Sequence, residues 1–177
     1  MSKPIAVDLC CGRGGVTRAL LAAGYDVIGV DIEHHPDYPT EARFVESDIR
    51  TMHGCHFVGC RFMWASPPCQ EFSRHDQPWT RAKNPPPPDL SIVEGCYRIR
   101  AEARPSFFIL ENVRGAQKFI GRANLHRAGR YLWGDTVLVP KVTARQKQSY
   151  SSKQSDLRSE VPFDLVYSLA MMVKAAA

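Results

Sequence analysis

The chain has 177 residues and a formal net charge of +5, with 44% hydrophobic, 23% charged and 10% aromatic side chains. This is enough chain for one globular domain that buries a core without staples. No apolar run approaches the roughly 18 residues of a membrane span, and Met1 to Asp8 lacks the charged-then-apolar pattern of a secretion signal, so a soluble, cytoplasmic protein with no membrane contact is expected. The charge is lopsided: residues 1–111 carry 12 basic and 14 acidic side chains, residues 112–177 carry 11 and 4. That split points to a site in the first part and a polyanion partner for the second, with a solvated basic face as the alternative.

The first elements read as a βαβ unit. Ile5 to Leu9 is a short apolar strand, Cys10 to Gly15 a glycine-rich turn, and Val16 to Ala23 a helix stopped by Gly24. Val27 to Val30 is a second strand ending at Asp31. Strand, glycine turn, helix, strand and acid is the layout of a nucleotide-binding unit. A third strand is expected over Arg43 to Val45, before Asp48, and a fourth over Arg61 to Ala65, running into Ser66-Pro67-Pro68-Cys69. Residues 66–88, with seven of the thirteen prolines, are expected to form one long loop, a length that is usually functional. Asp89 then caps a helix to about Ala103, with Ile92, Cys96, Ile99 and Ala103 at helical spacing. Phe107 to Leu110 is a fifth strand that delivers Glu111-Asn112-Val113. Tyr131 to Trp133 and Thr136 to Val139 read as strands around Gly134-Asp135. Residues 140–159 are polar and basic, and Pro162 to about Lys174 reads as a buried terminal helix. The fold class is therefore α/β, a Rossmann-like, mostly parallel sheet with helices on both faces, in a single domain.

Without a secretion signal, the six cysteines do not imply a disulfide framework. His53, Cys55, His56 and Cys60 crowd together, but their spacing matches no closed zinc pattern. They read as structural thiols and surface imidazoles, and no metal is expected. Two other positions stand out. Cys69 follows Ser-Pro-Pro at a strand's carboxyl end, where ligands bind in open α/β sheets. It is either a buried structural thiol or a nucleophile whose pKa is lowered by Arg74, Arg81 and Lys83 downstream. Glu111 ends a strand on the same rim, and is either a satisfied ion-pair partner or a general acid with a raised pKa.

DLCCGRGG, the acid of GVDI, the ESDI segment, SPPCQEFS and ENV, in that order, resemble the cytosine-C5 methyltransferases. The likeness is continuous from Asp8 to Asn112 and returns at HRAGRYLWG and VPFDLVYSLA. The resemblance implies a DNA (cytosine-5)-methyltransferase using S-adenosylmethionine. In that chemistry a Cys69 thiolate adds to C6 of a flipped-out cytosine, Glu111 holds the N3 edge and supplies a proton, and C5 takes the methyl group. It implies that Asp8, Cys10, Cys11, Gly12, Gly14 and Gly15 surround the methionine part of the cofactor. Asp31 takes the ribose, Ile32 and Ile49 flank the adenine, Asp48 reads its amino edge, and Pro67 lines the pocket. Pro68, Gln70, Ser73 and Asn112 fall on the substrate side. Residues 70–88 resemble the family's mobile catalytic loop, with Arg74, Arg81 and Lys83 as phosphate contacts.

The departures bear on specificity. Cys10 stands where the family usually has a large aromatic. In the family's Q-x-R-x-R segment this chain reads Leu125, Arg127 and Gly129, so Arg127 is the first arginine, the second is missing, and Arg130 lies beside the gap. Arg158-Ser159-Glu160 replaces G-N-S. Where family members carry a target-recognition lobe, only Thr136 to Arg158 lies here, a short basic loop with Lys141, Arg145, Lys147 and Lys153. Such a loop grips phosphates but does not read a long site, so short or relaxed sequence specificity is expected. The same motifs leave open an RNA (tRNA-type) cytosine as substrate, or a catalytic half that needs a partner protein for target recognition.

Overall fold

The computed structural model describes residues 2–81, 83–139 and 161–176. The strands are β1 (Ile5–Leu9), β2 (Asp26–Asp31), β3 (Arg43–Glu46), β4 (Phe62–Ala65), β5 (Phe107–Asn112), β6 (Leu125–Arg127) and β7 (Arg130–Gly134). They form one sheet in the order β3-β2-β1-β4-β5-β7-β6. Pairings among β1 to β5 are parallel, and β7 runs antiparallel to both β5 and β6. The helices are α1 (Gly15–Ala22), α2 (Gln70–Arg74), α3 (Pro78–Arg81), α4 (Ser91–Ala103), α5 (Gln117–Ile120) and α6 (Phe163–Ala175). This is the Rossmann-like α/β architecture anticipated from the sequence.

The near-continuous apolar runs of β1, β4 and β5 follow from burial on both faces. Ala6, Phe62, Trp64, Ile109 and Leu132 pack with α1 and α6, while Val7, Leu9, Met63, Ala65, Phe108 and Leu110 pack with α4. Alternation along each strand sorts neighbours to opposite faces. α6 is tied down by polar contacts as well: the buried Tyr25 hydroxyl donates to the Ala170 carbonyl at 2.9 Å. The Lys174 ammonium donates to the Ala23 carbonyl at 3.1 Å, a favourable place for a cation at the end of α1. Among the described residues no helix is long and apolar enough to cross a membrane.

Two expectations need correction. Residues 66–88 are not one loop, because α2 and α3 lie within them. α2 forms because Phe72 has an apolar place to go: it is 2% exposed and its ring meets Phe119 at 6.1 Å. The same segment is held by the Asp76–Arg114 ion pair at 3.0 Å and by Lys118 donating to the His75 carbonyl at 2.8 Å. The second correction concerns the hairpin. β7 pairs with β6, upstream of it, and Thr136 to Val139 is not a strand. The turn is Ala128-Gly129, both left-handed with φ of 50° and 78°, as a two-residue hairpin of the primed type requires. Asp89 still caps α4, its carboxylate accepting from the Ser91 N–H at 2.8 Å.

Of the His53, Cys55, His56 and Cys60 group, Cys55 is exposed and Cys60 is buried, and Gly54–Phe57 form a 3-10 turn. Among the described residues no three His, Cys, Asp or Glu side chains gather as a metal site would need.

Gly115 is where α2 meets the chain leaving β5. A β-carbon there would run into the backbone carbonyl of Phe72, which has no free end to swing away. Gly115→Ala should lower unfolding stability by about 1–3 kcal/mol, read as a reduced midpoint in urea. An unchanged midpoint would show that α2 is not clamped at this point.

Candidate functional site

The carboxyl ends of β1, β2, β4 and β5 open onto a cleft of about 440 Å³. Ten of the eleven residues assigned to the cofactor line it: Asp8, Cys10, Cys11, Gly12, Gly15, Asp31, Ile32, Asp48, Ile49 and Pro67. The eleventh, Gly14, shapes the turn instead. Its φ is 83°, and a β-carbon there would lie 2.5 Å from the Pro39 ring.

At this end the carboxylates do the organising. Asp31 Oδ2 accepts the Gly12 N–H at 2.8 Å and Oδ1 accepts the Ile32 N–H at 2.8 Å, so one side chain joins the two loops. Asp8 is fully buried. Its Oδ2 accepts from the Thr17 hydroxyl at 2.7 Å, which in turn meets the Tyr38 hydroxyl at 3.1 Å. Its Oδ1 has no hydrogen-bond partner among the described residues. Burial is the main cause that pushes the Asp8 carboxyl up to about 7, against the Thr17 hydrogen bond. An unpaired carboxylate oxygen in a dry wall is costly unless a donor or cation fills the place. Cys10, in the left-handed region at φ 58°, is a free thiol held well above the usual range by its hydrogen bond with the Cys96 thiol and by burial. Asp48 does not face the cleft freely: its carboxylate is paired with Arg50 at 2.6 Å.

The other end holds the reactive groups. Cys69 precedes α2, and its carbonyl accepts from both the N–H and the hydroxyl of Ser73, at 2.9 and 3.0 Å. Asn112, 1% exposed, donates to the Pro67 carbonyl at 3.0 Å and pins the Pro67-Pro68 approach to Cys69. Glu111, 5% exposed, pairs with Arg130 at 3.4 Å. Burial holds the Glu111 carboxyl above its ordinary value, against the Arg130 charge. Both sequence readings of Glu111 therefore apply, ion-pair partner and raised acid. The Cys69 thiol is pushed up, first by burial and then by Glu111, with Arg130 opposing. This corrects the expectation of a lowered thiol: the charges that act on it are Glu111 and Arg130, brought in from β5 and β7.

Sheet geometry explains which arginine reaches Glu111. Leu132 stands opposite Glu111 in the β5–β7 register, and Arg130 lies two residues from Leu132, on the same face. Arg127 is opposite Arg130 but one strand further out, by about 4.8 Å. It does not line the cleft, and its Nε is buried without a partner. Pro68 and Gln70 line the cleft; Arg74 does not, and Lys83 is exposed on the surface beyond. The side chain of Arg81, and all of Lys141 and Arg145, lie outside the described residues, as does most of the 136–158 loop.

Sequence reasoning missed Arg13, His35, Ser47, Arg50, Ser66, Ile92 and Val161 on the cleft wall. Ser66 was legible as the first residue of the SPPC turn; its hydroxyl accepts from Trp64 Nε1 at 2.8 Å and also bonds Glu111. Ile92 had been counted as core. Nothing local marks His35, Thr17 or Tyr38.

A family model described as C-5 cytosine-specific DNA methylase matches residues 5–127. The Type II methyltransferase M.XorII of Xanthomonas oryzae pv. oryzae is 29% identical over 130 residues, which are 65% of this chain and 29% of that protein. Among solved structures, S. pombe Dnmt2 methyltransferase is 20% identical with a TM-score of 0.44, covering 65% of this chain and 36% of that one. Entamoeba histolytica methyltransferase EhMeth is 17% identical with a TM-score of 0.47, covering 67% and 40%. The chain thus spans about a third of the length of these relatives. With Cys69, Glu111 and the glycine turn all inside the matched residues, the chain belongs to the C-5 cytosine-specific DNA methylase family.

Proposed function

We propose that this chain is an S-adenosylmethionine-dependent DNA (cytosine-5)-methyltransferase, acting on a flipped-out cytosine with short or relaxed specificity. The observation that carries the reading is one cleft with a glycine turn and an unpaired Asp8 oxygen at one end, and Cys69, Glu111 and Arg130 at the other. The cofactor supplies a methyl group on a sulfonium. Its cationic character suits a wall built of Asp8, Asp31 and Gly12, and Ile32, 64% exposed, offers an apolar flank to its base. Asp8 is the acceptor proposed for its ammonium group.

In the reaction, Cys69 loses its thiol proton to solvent and the thiolate sulfur forms a bond to C6 while Glu111 gives its proton to N3, so electron density collects at C5. Once C5 carries the methyl group, the C5 proton leaves to a base, the sulfur departs with its electron pair, and Glu111 recovers its proton. Burial raises the Glu111 carboxyl and so favours its protonated form, the form that has a proton to give. As the proton passes to N3, Arg130 remains to balance the carboxylate left behind. Asn112 and Ser73 act on the nucleophile through position, fixing the backbone on either side of it. The whole chain is proposed to form one catalytic domain, with the basic 136–158 segment meeting phosphates.

Three outcomes test this. Labelled methyl should pass from S-adenosylmethionine to DNA with wild-type protein and not with Cys69→Ala. Parallel incubations with duplex DNA, single-stranded DNA and tRNA identify the substrate; transfer to tRNA alone would replace DNA with RNA, and robust transfer by Cys69→Ala would remove the covalent step.

Glu111→Gln deletes the negative charge that helps push the thiol up and leaves the opposing Arg130 charge in place. That favours the thiolate, so the pKa of Cys69 should fall. The pH midpoint of iodoacetamide alkylation, mapped to the Cys69 peptide, should move down; an equal or higher midpoint would contradict the coupling.

Asp8 titrates near 7 when its oxygen is unpaired, and a bound cation keeps it ionised. S-adenosylmethionine should therefore bind about tenfold tighter at pH 8 than at pH 6, with the trend absent in Asp8→Asn. A pH-independent dissociation constant in the wild type would remove Asp8 from the ammonium site.

A further inference from the structure

We propose that Trp79, on the helical segment that follows Cys69, is a stacking platform for an unpaired base of the nucleic acid being modified. The inference rests on the reading of the site above and adds to it a contact surface for the strand flanking the target.

The three tryptophans have different fates. Trp64 is 0% and Trp133 4% exposed, both in the core, whereas Trp79 is 67% exposed. An indole brings a large apolar face that proteins usually cover, and here it stands at the second residue of α3 (Pro78–Arg81). Its position is constrained by what precedes it. Asp76 is held by Arg114, and the His75 ring packs on Phe119 at 4.7 Å while its carbonyl accepts from Lys118. Trp79 is three Cα steps beyond Asp76, hence within about 11 Å of it. Arg114 lies three residues after Glu111. Both segments leave the same edge of the sheet, from β4 and β5, where Cys69 and Glu111 sit.

The charge around the indole selects the occupant. Residues 74–83 and 113–122 together contain Arg74, Arg81, Lys83, Arg114, Lys118 and Arg122, with Asp76 as their one acid, and Asp76 is tied to Arg114. No other exposed large hydrophobic side chain among the described residues lies on either segment. A protein-binding face would present apolar neighbours beside the tryptophan. A lone π-face among cations suits a strand whose phosphates are held by charge and whose base lies on the ring. Stacking is indifferent to base identity, so this contact orders the strand without reading its sequence.

The experiment exploits the burial of the other two tryptophans. Intrinsic fluorescence is titrated with cytosine-containing oligonucleotides: single-stranded DNA, duplex DNA with one unpaired base, and single-stranded RNA. Wild-type emission should be quenched on binding, and the oligonucleotide giving the larger quench identifies the strand type. In Trp79→Phe the quench should vanish while Trp64 and Trp133 emission stays as in the free protein. Trp79→Ala should bind on the order of tenfold more weakly, with Phe recovering part of the loss and neither variant altering the melting temperature. Binding without quenching, or Trp79→Ala binding as wild type, overturns the platform and leaves the methyltransferase reading intact. Quenching that depends on Trp79 without methyl transfer supports the platform and removes the activity. No binding by wild-type protein to any oligonucleotide overturns both.

Discussion

The site depends on keeping a carboxyl group, Glu111, inside the protein. A lone carboxylate there is strongly disfavoured, and the group responds by holding its proton more tightly or by acquiring a partner. Here it does both. Arg130 is the partner, and it arrives only because β7 runs antiparallel to β5 in the register that sets Leu132 opposite Glu111. That register depends on the two left-handed residues of the Ala128-Gly129 turn. Without Arg130 the buried carboxyl would hold its proton more tightly still. The reactive thiol, the acid and the hairpin are thus one electrostatic unit.

The two buried acids divide the cleft between them. Asp8 and Glu111 are both raised by burial, yet one is backed by hydroxyls and the other by a guanidinium. A hydroxyl backing leaves a lone oxygen facing the cleft, suited to a cation. A guanidinium backing leaves a raised carboxyl whose charge, when it ionises, is balanced. The same side chain behaves differently because the groups behind it differ.

Much of this was legible in the sequence. The first five strands, α1, α4 and α6 follow from apolar runs, helical spacing and glycine stops. The SPPC and ENV motifs located Cys69 and Glu111 because both end apolar strands. What stayed hidden depended on contacts between distant segments. Nothing near Gln70 to Arg74 announces a helix until Phe72 finds Phe119. Thr17 meets Asp8 from 9 residues away, and Tyr38 meets Thr17 from 21 residues further on. The sign of the Cys69 shift was misread because charge was counted along the chain, whereas Glu111 and Arg130 reach the thiol through the sheet. Arg130 was noticed only as a neighbour of the missing arginine, and strand register turned that proximity into a contact.

Val139 and Val161 belong to the same apolar cluster, with α1 and α6. The chain therefore leaves this core and rejoins it at sites packed into one body, whatever lies between. Closing a loop costs only about 0.6 kcal/mol more for each doubling of its length. The length of the intervening stretch is thus nearly decoupled from the stability of the sheet. Val139 and Val161 thus fix where the chain leaves and re-enters the core, and Glu111, Arg130 and Cys69 keep their places without reference to the length between.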